Sequence, residues 1–154
     1  MDKSFSFIYK SLKSNELSNV QLRLIDACKN AVRGSYAPYS NFNVGAAVLL
    51  ENDIIVTGAN QENVAYPSGM CAERIAMFAA NAGYPDSAPI ALAIAACKNG
   101  IFTDKPVTPC GACRQVLIES EKRFGRSIQI LLYGTEEIIL IDNVADLLPL
   151  SFEF

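Results

Sequence analysis

Three cysteines and one glutamate in this 154-residue chain occur at spacings that suit a metal centre. Cys110 and Cys113 are three residues apart, so on a helix they would project from one face and could hold one ion, while Cys71 would come from another helix. Both segments begin at predicted helix N-termini, where unpaired backbone N–H groups and the helix dipole lower the pKa of a cysteine. Zinc is the ion that such a set of thiolates favours at tetrahedral geometry.

The sequence offers no usual fourth protein ligand, because it has no histidine and no second Cys-x-x-Cys pair. A structural zinc site normally has four protein ligands, whereas a catalytic site keeps one position for a water whose pKa falls to about 7. The sequence therefore predicts an open zinc. Glu73, two residues after Cys71, is expected to move protons in the second shell and not to bind the metal. Arg74 is expected to donate hydrogen bonds to the thiolates and offset their charge.

Helices and strands alternate along the sequence in an order that predicts an α/β fold. Ser18 suits the N-cap of a helix that ends at Gly34, and Pro109 is expected in the first turn of the helix that carries Cys110 and Cys113. The predicted strands cover residues 42–50, 54–59, 90–97, 128–133 and 138–141, and the predicted helices cover residues 18–34, 71–82, 110–124 and 144–148. Helices on both faces of a five-stranded mixed sheet would form three α/β/α layers that bury these strands.

Length and composition predict one globular domain over residues 18–154, preceded by an N-terminal extension over residues 1–17. Hydrophobic residues make up 51% of the chain and charged residues 19%. The net charge of −3 argues against a nucleic-acid partner. No apolar run approaches the roughly 20 residues of a membrane span, and residues 1–6 lack the features of a signal peptide, so a cytoplasmic protein without membrane contact is expected.

Four stretches of the sequence resemble the zinc-dependent cytidine deaminases of the homotetrameric, three-cysteine type. They are YAPYSNFNVGAAV, ANQENVAYPSGMCAER, PCGACRQVL and the terminal LLPLSF. The resemblance implies one zinc ion per chain, bound by Cys71, Cys110 and Cys113. It also implies hydrolytic deamination of free cytidine and deoxycytidine to uridine and deoxyuridine plus ammonia, as in pyrimidine salvage.

The resemblance assigns roles to individual residues around the metal. Phe42 would stack on the pyrimidine, Asn60 and Glu62 would hydrogen-bond the ribose hydroxyls, and the Ala72 backbone would help hold the base. Glu73 would take a proton from the zinc-bound water, protonate the ring nitrogen and later protonate the leaving amine, while zinc hydroxide attacks C4.

Two further residues would act between subunits. In the homotetrameric enzymes the counterparts of Tyr66 and Phe152 reach a neighbouring site. The apolar tail at residues 147–154 agrees with such an interface, because an exposed terminus would not normally be so apolar.

Other interpretations stand beside this one. A single Cys-x-x-Cys on a helix is also typical of a redox pair. A deaminase of the same fold that acts on blasticidin, a nucleotide or adenosine in transfer RNA is the nearest alternative enzyme, and a purely structural zinc protein is an alternative of another class. Cys28 and Cys97 lie on predicted apolar faces, where free cysteine usually packs as a small hydrophobe.

Overall fold

The β-prone segments form one mixed sheet in the computed structural model, which describes residues 1–153 and leaves Phe154, the last residue of the apolar tail, outside the described residues. The sheet has seven strands: β1 (Lys10–Leu12), β2 (Phe42–Leu50), β3 (Ile55–Ala59), β4 (Pro89–Lys98), β5 (Ile101–Phe102), β6 (Gln129–Tyr133) and β7 (Ile138–Ile141). Their order is β1-β7-β6-β4-β2-β3, with β5 paired to β4. Only β4 and β6 pair in parallel among the described strands.

The expected count of five strands was too low, because β1 and β5 are three and two residues long. Strands this short carry no readable periodicity. β1 lies within the predicted extension and pairs antiparallel with β7, where Lys10 also forms an ion pair with Asp142 at 3.1 Å. The boundary between residues 17 and 18 itself stays a prediction.

Three α-helices agree with the predicted ones within a few residues: α1 (Asn19–Ala31), α2 (Ala72–Gly83) and α3 (Gly111–Phe124). Ser18 caps α1 as expected, in a reciprocal capping box with Gln21. Pro109 was misplaced, because it lies before the N-cap residue Cys110 and so outside the first turn. The C-terminal helix is a 3₁₀ turn (Val144–Leu147). No helix within residues 1–153 has the length and apolarity to cross a membrane.

The helices cover both faces of the sheet, which confirms the three-layer α/β/α architecture. Alternate residues of β4 point to opposite faces: Leu92 and Ile94 pack in the cluster that contains α2 and α3 residues, whereas Ala93 and Ala95 pack in the cluster that contains α1 residues. A strand covered on both faces must be apolar at every position, and this explains the continuous apolar run at residues 90–97.

Gly58 allows α2 to pack with its backbone in direct contact with the sheet. A Cβ atom added to Gly58 in β3 would lie 2.5 Å from the Ala76 nitrogen and 2.7 Å from the Ala72 oxygen of α2. Backbone atoms cannot move aside independently, so Gly58 fixes the height of α2 above the sheet. The N-terminus of α2 carries Cys71 and Glu73, so this contact also sets where those side chains lie.

We expect Gly58→Ala to destabilise the fold by about 1–3 kcal/mol, because overpacking forces α2 away from β3. Gly83→Ala is the matched control, since a Cβ atom at Gly83 would meet no atom within 4 Å. The midpoint of thermal unfolding should fall by several degrees for the first variant and stay level or rise slightly for the second. Equal midpoints for the two variants would show that α2 does not depend on this contact.

Candidate active site

Two helix N-termini meet at the three cysteines. Cys71 is the N-cap residue of α2, Cys110 is the N-cap residue of α3, and Cys113 lies in the first turn of α3. The Sγ atoms of Cys71 and Cys110 are 3.8 Å apart, those of Cys110 and Cys113 are 3.5 Å apart, and all three lie within 4.8 Å of one another. Residues distant in the sequence thus form one group of sulfur atoms.

The spacing of the sulfur atoms fits zinc. A tetrahedral zinc ion with Zn–S bonds of about 2.3 Å requires sulfur atoms about 3.8 Å apart. The two measured separations agree with this value within a few tenths of an ångström. Cys113 is fully buried, Cys71 is half-buried and Cys110 is exposed, so the group opens toward solvent on the Cys110 side. The three-cysteine group therefore fits a zinc site.

Hydrogen bonds among the cysteines and from one arginine change the pKa values of the thiols. Hydrogen bonding with Cys113, and further bonding from Arg74 and Cys110, lowers the pKa of Cys71 to about 5 against the opposing effect of desolvation. The same hydrogen bond, together with desolvation, raises the pKa of Cys113. Arg74 Nη2 donates to Cys71 Sγ at 3.6 Å. Of Cys71 and Cys113, Cys71 therefore becomes a thiolate more readily.

Glu73 lies in the first turn of α2 and is only 6% exposed. Burial raises its pKa, because the charged carboxylate is poorly solvated there. A carboxyl group whose pKa is moved toward neutrality can both accept and release a proton. Its side chain also lines the cavity beside Cys71.

A cavity of about 900 Å³ joins the metal group to most of the predicted substrate contacts. Its walls include nine of the predicted site residues: Phe42, Asn60, Glu62, Tyr66, Cys71, Ala72, Glu73, Arg74 and Cys110. Two predicted site residues are not in its lining. Cys113 is fully buried in α3, and Phe152 lies outside this cavity, where its backbone nitrogen donates to Gln115 Oε1 at 3.1 Å.

Sequence analysis missed several residues of the cavity wall, namely Tyr39, Ser40, Val44, Gln61, Asn63, Gly69, Met70, Val107 and Thr108. Seven of the nine lie within the stretches YAPYSNFNVGAAV and ANQENVAYPSGMCAER, so the family resemblance was the signal that could have found them. Arg114 was missed as well. Its Nε donates to the Pro109 carbonyl and its Nη1 to the Leu147 carbonyl, both at 2.8 Å, so it holds the segment that leads into Cys110.

Comparison with known proteins agrees with this geometry. Residues 18–126 match the family model described as the cytidine and deoxycytidylate deaminase zinc-binding region. A cytidine deaminase of Sporosarcina psychrophila is 42% identical over 130 residues, which cover 84% of this chain and 89% of that protein. A cytidine deaminase of Mycobacterium tuberculosis H37Rv is 42% identical over 128 residues, covering 79% of this chain and 81% of that protein.

A solved structure extends the similarity to the fold. The crystal structure of cytidine deaminase from Burkholderia pseudomallei superposes with a TM-score of 0.72 at 36% sequence identity, and the match covers 88% of this chain and 100% of that chain. The structure from Burkholderia pseudomallei is thus matched over its whole length, and the unmatched part belongs to this chain.

We expect Cys110→Ala to lose the zinc ion, with bound zinc falling from about one per chain to near zero. The midpoint of thermal unfolding should fall too, because metal binding contributes to the folding free energy. Cys97→Ala is the control, since Cys97 lies in the core of β4 and should leave the zinc content unchanged. Elemental analysis of the two purified variants measures the difference, and a full zinc complement in Cys110→Ala would contradict the ligand assignment.

Proposed function

This chain belongs to the cytidine and deoxycytidylate deaminase zinc-binding family, and from that premise we propose that it hydrolyses free cytidine and deoxycytidine to uridine and deoxyuridine plus ammonia. Family membership makes it a zinc-dependent hydrolytic deaminase. The observation that supports the nucleoside substrate is the single cavity that joins the three-thiol group to Phe42, Asn60 and Glu62. A cytoplasmic role in pyrimidine salvage is part of this proposal.

Glu73 is the proposed proton carrier of the reaction. Zinc, when bound, supplies Lewis acidity that lowers the pKa of a coordinated water to about 7, so that a nucleophile for C4 is available at neutral pH. Glu73 accepts a proton from the attacking water and passes it to the ring nitrogen of the base. It then takes the remaining water proton from the hydroxyl on C4 and gives it to the amine, so that the C4–N bond breaks, the carbonyl forms, one water is consumed and one ammonia is released. Its raised pKa suits this double use.

The cavity wall supports a nucleoside over a phosphorylated substrate. Phe42 offers an aromatic face for the pyrimidine, the Ala72 backbone can hold the base, and Asn60 and Glu62 offer polar groups for the sugar. A hydrogen bond from Ser40 lowers the pKa of Glu62, which is therefore ionised at neutral pH. Among the described residues that line the cavity, Arg74 is the only cation, and it is bonded to Cys71. A substrate phosphate would be repelled by the Glu62 carboxylate and would meet no unpaired cation among these lining residues.

The same features weigh against the other interpretations. Nucleotide and transfer-RNA substrates need cationic contacts that this wall does not offer in the described residues. A purely structural zinc protein would have no use for a buried Glu73 that faces an open cavity beside the metal group. A redox pair would involve two cysteines, whereas three lie together here.

We further propose a homotetramer in which Tyr66 and Phe152 reach a neighbouring subunit's site. Tyr66 is 78% exposed and Phe152 is 69% exposed, which suits side chains that pack against another copy. Gln115 holds the tail through two hydrogen bonds to the Phe152 backbone, each 3.1 Å long. Deletion of residues 151–154 should raise the Michaelis constant and leave zinc bound. A fully active monomer in analytical ultracentrifugation would contradict this assembly.

We expect purified protein to deaminate cytidine and deoxycytidine and to act poorly on cytosine and cytidine monophosphate. Cytosine forfeits the binding energy of the sugar, and the monophosphate brings a negative charge toward Glu62. Loss of absorbance in the cytidine band, followed for the four compounds in parallel, measures this order. Preference for the monophosphate or for single-stranded DNA would overturn the proposed substrate.

Glu73→Gln should keep the fold and the zinc yet lower kcat by about 10²- to 10⁴-fold, because an amide cannot carry the proton. Glu119→Gln, an exposed glutamate on α3, is the control and should retain wild-type turnover. Zinc content and the thermal midpoint are measured for both variants beside kcat. Turnover of Glu73→Gln within a few-fold of wild type would show that another group carries the proton.

A further inference from the structure

The backbone of Phe42 is held on both sides by side chains. Its amide nitrogen donates to Ser40 Oγ at 3.0 Å, and its carbonyl oxygen accepts from Asn60 Nδ2 at 2.9 Å. Phe42 stands at the start of β2, directly after Asn41, whose φ of 53° places it in the left-handed region. A residue in the left-handed region turns the chain, and side-chain hydrogen bonds can fix the backbone of the residue that follows. Ser40 and Asn60 supply them.

Ser40 connects this backbone to Glu62. The Ser40 hydroxyl donates its proton to Glu62 Oε1, so its lone pairs are free to accept from the Phe42 nitrogen. Glu62 Oε2 accepts from the Tyr39 nitrogen at 2.8 Å and from the Ser40 nitrogen at 3.3 Å. The Glu62 carboxylate therefore fixes the loop that carries Phe42, and one lone pair of Oε1 remains for a ligand.

Ser35 holds the Asn60 side chain as Ser40 holds that of Glu62. Its hydroxyl donates to Asn60 Oδ1 at 2.5 Å and accepts from Asn43 Nδ2 at 3.0 Å. Asn60 Oδ1 also accepts from the Val44 nitrogen at 2.8 Å, and this pair of donors fixes which end of the amide is oxygen. With Nδ2 already bonded to the Phe42 carbonyl, Asn60 retains one N–H for a ligand.

We infer that Ser40 and Ser35 are positioning residues that join the sugar contacts and the base contact into one hydrogen-bonded unit. The inference rests on the proposed nucleoside substrate. Ser40 acts through Glu62 and directly on the Phe42 nitrogen, Ser35 acts through Asn60, and both chains of hydrogen bonds end on the Phe42 backbone. A sugar hydroxyl would donate to Glu62 and accept from Asn60. These are the same two side chains whose hydrogen bonds fix the Phe42 backbone, and thereby the position of its ring in the cavity. Loss of either serine therefore weakens recognition of the base as well as the sugar.

The test is a double-mutant cycle on the Michaelis constant for cytidine. Ser40→Ala should raise KM about tenfold with a smaller change in kcat, since the loss falls on substrate positioning and not on the metal group. Ser40→Thr should restore most of the affinity because it keeps the hydroxyl. In a Glu62→Ala background the same Ser40→Ala change should alter KM by clearly less than tenfold, since only the direct hydrogen bond from the Phe42 nitrogen is then left to lose.

Ser68→Ala is the matched control, because Ser68 is an exposed serine in the neighbouring 3₁₀ turn (Tyr66–Ser68). Its KM should equal that of the wild type, and zinc content should be constant across all variants. An equal tenfold effect of Ser40→Ala with and without Glu62, or no effect on KM in either background, would overturn the inference. A wild-type protein that fails to deaminate cytidine would instead overturn the proposed function, so the two failures are distinguishable.

Discussion

Convergence of three sulfur atoms from two helices is the constraint on which the rest of the structure depends. Cys71 and Cys110 are N-cap residues of separate helices, and their Sγ atoms must stay within about 4 Å for one zinc ion to bind both. Sulfur atoms at this distance repel one another as thiolates, so both helices have to be held from outside the site. The sheet beneath α2 and the Arg114 contacts beside α3 meet that requirement.

The site combines a rigid part with a part made of loops. The metal group and Glu73 sit on helix N-termini that pack directly on the core, where small displacements are costly. The proposed substrate wall is formed by the loop at residues 35–41 and by Asn60 and Glu62 after β3. A backbone bridge between Tyr36 and Gln61 joins these segments, and side-chain hydrogen bonds hold the rest. In the proposed function, chemistry and recognition thus depend on different kinds of interaction, packing for the first and a polar network for the second.

Sequence patterns predicted the long elements and the metal group well, because these depend on local periodicity and on distinctive residue types. Cys71, Cys110 and Cys113 stood out by residue type, spacing and family resemblance, and the structure brings their sulfur atoms together. The parts that escaped prediction depend on partners distant in the chain. β1 is the polar tripeptide Lys-Ser-Leu and becomes a strand only because β7 offers it hydrogen bonds. Ser40 has the composition of any loop serine, and its importance comes from a carboxylate 22 residues away.

The pairing of β1 with β7 bears on solubility. β7 is the apolar tetrapeptide Ile-Ile-Leu-Ile, and without a neighbour on its outer side it would present unpaired backbone groups to other chains. β1 occupies that edge and replaces it with a short strand that carries Lys10. Short, lysine-bearing edges resist edge-to-edge aggregation, whereas long apolar ones promote it. A protein trimmed to start at residue 18 would keep every residue of the catalytic cavity and yet expose an aggregation-prone edge.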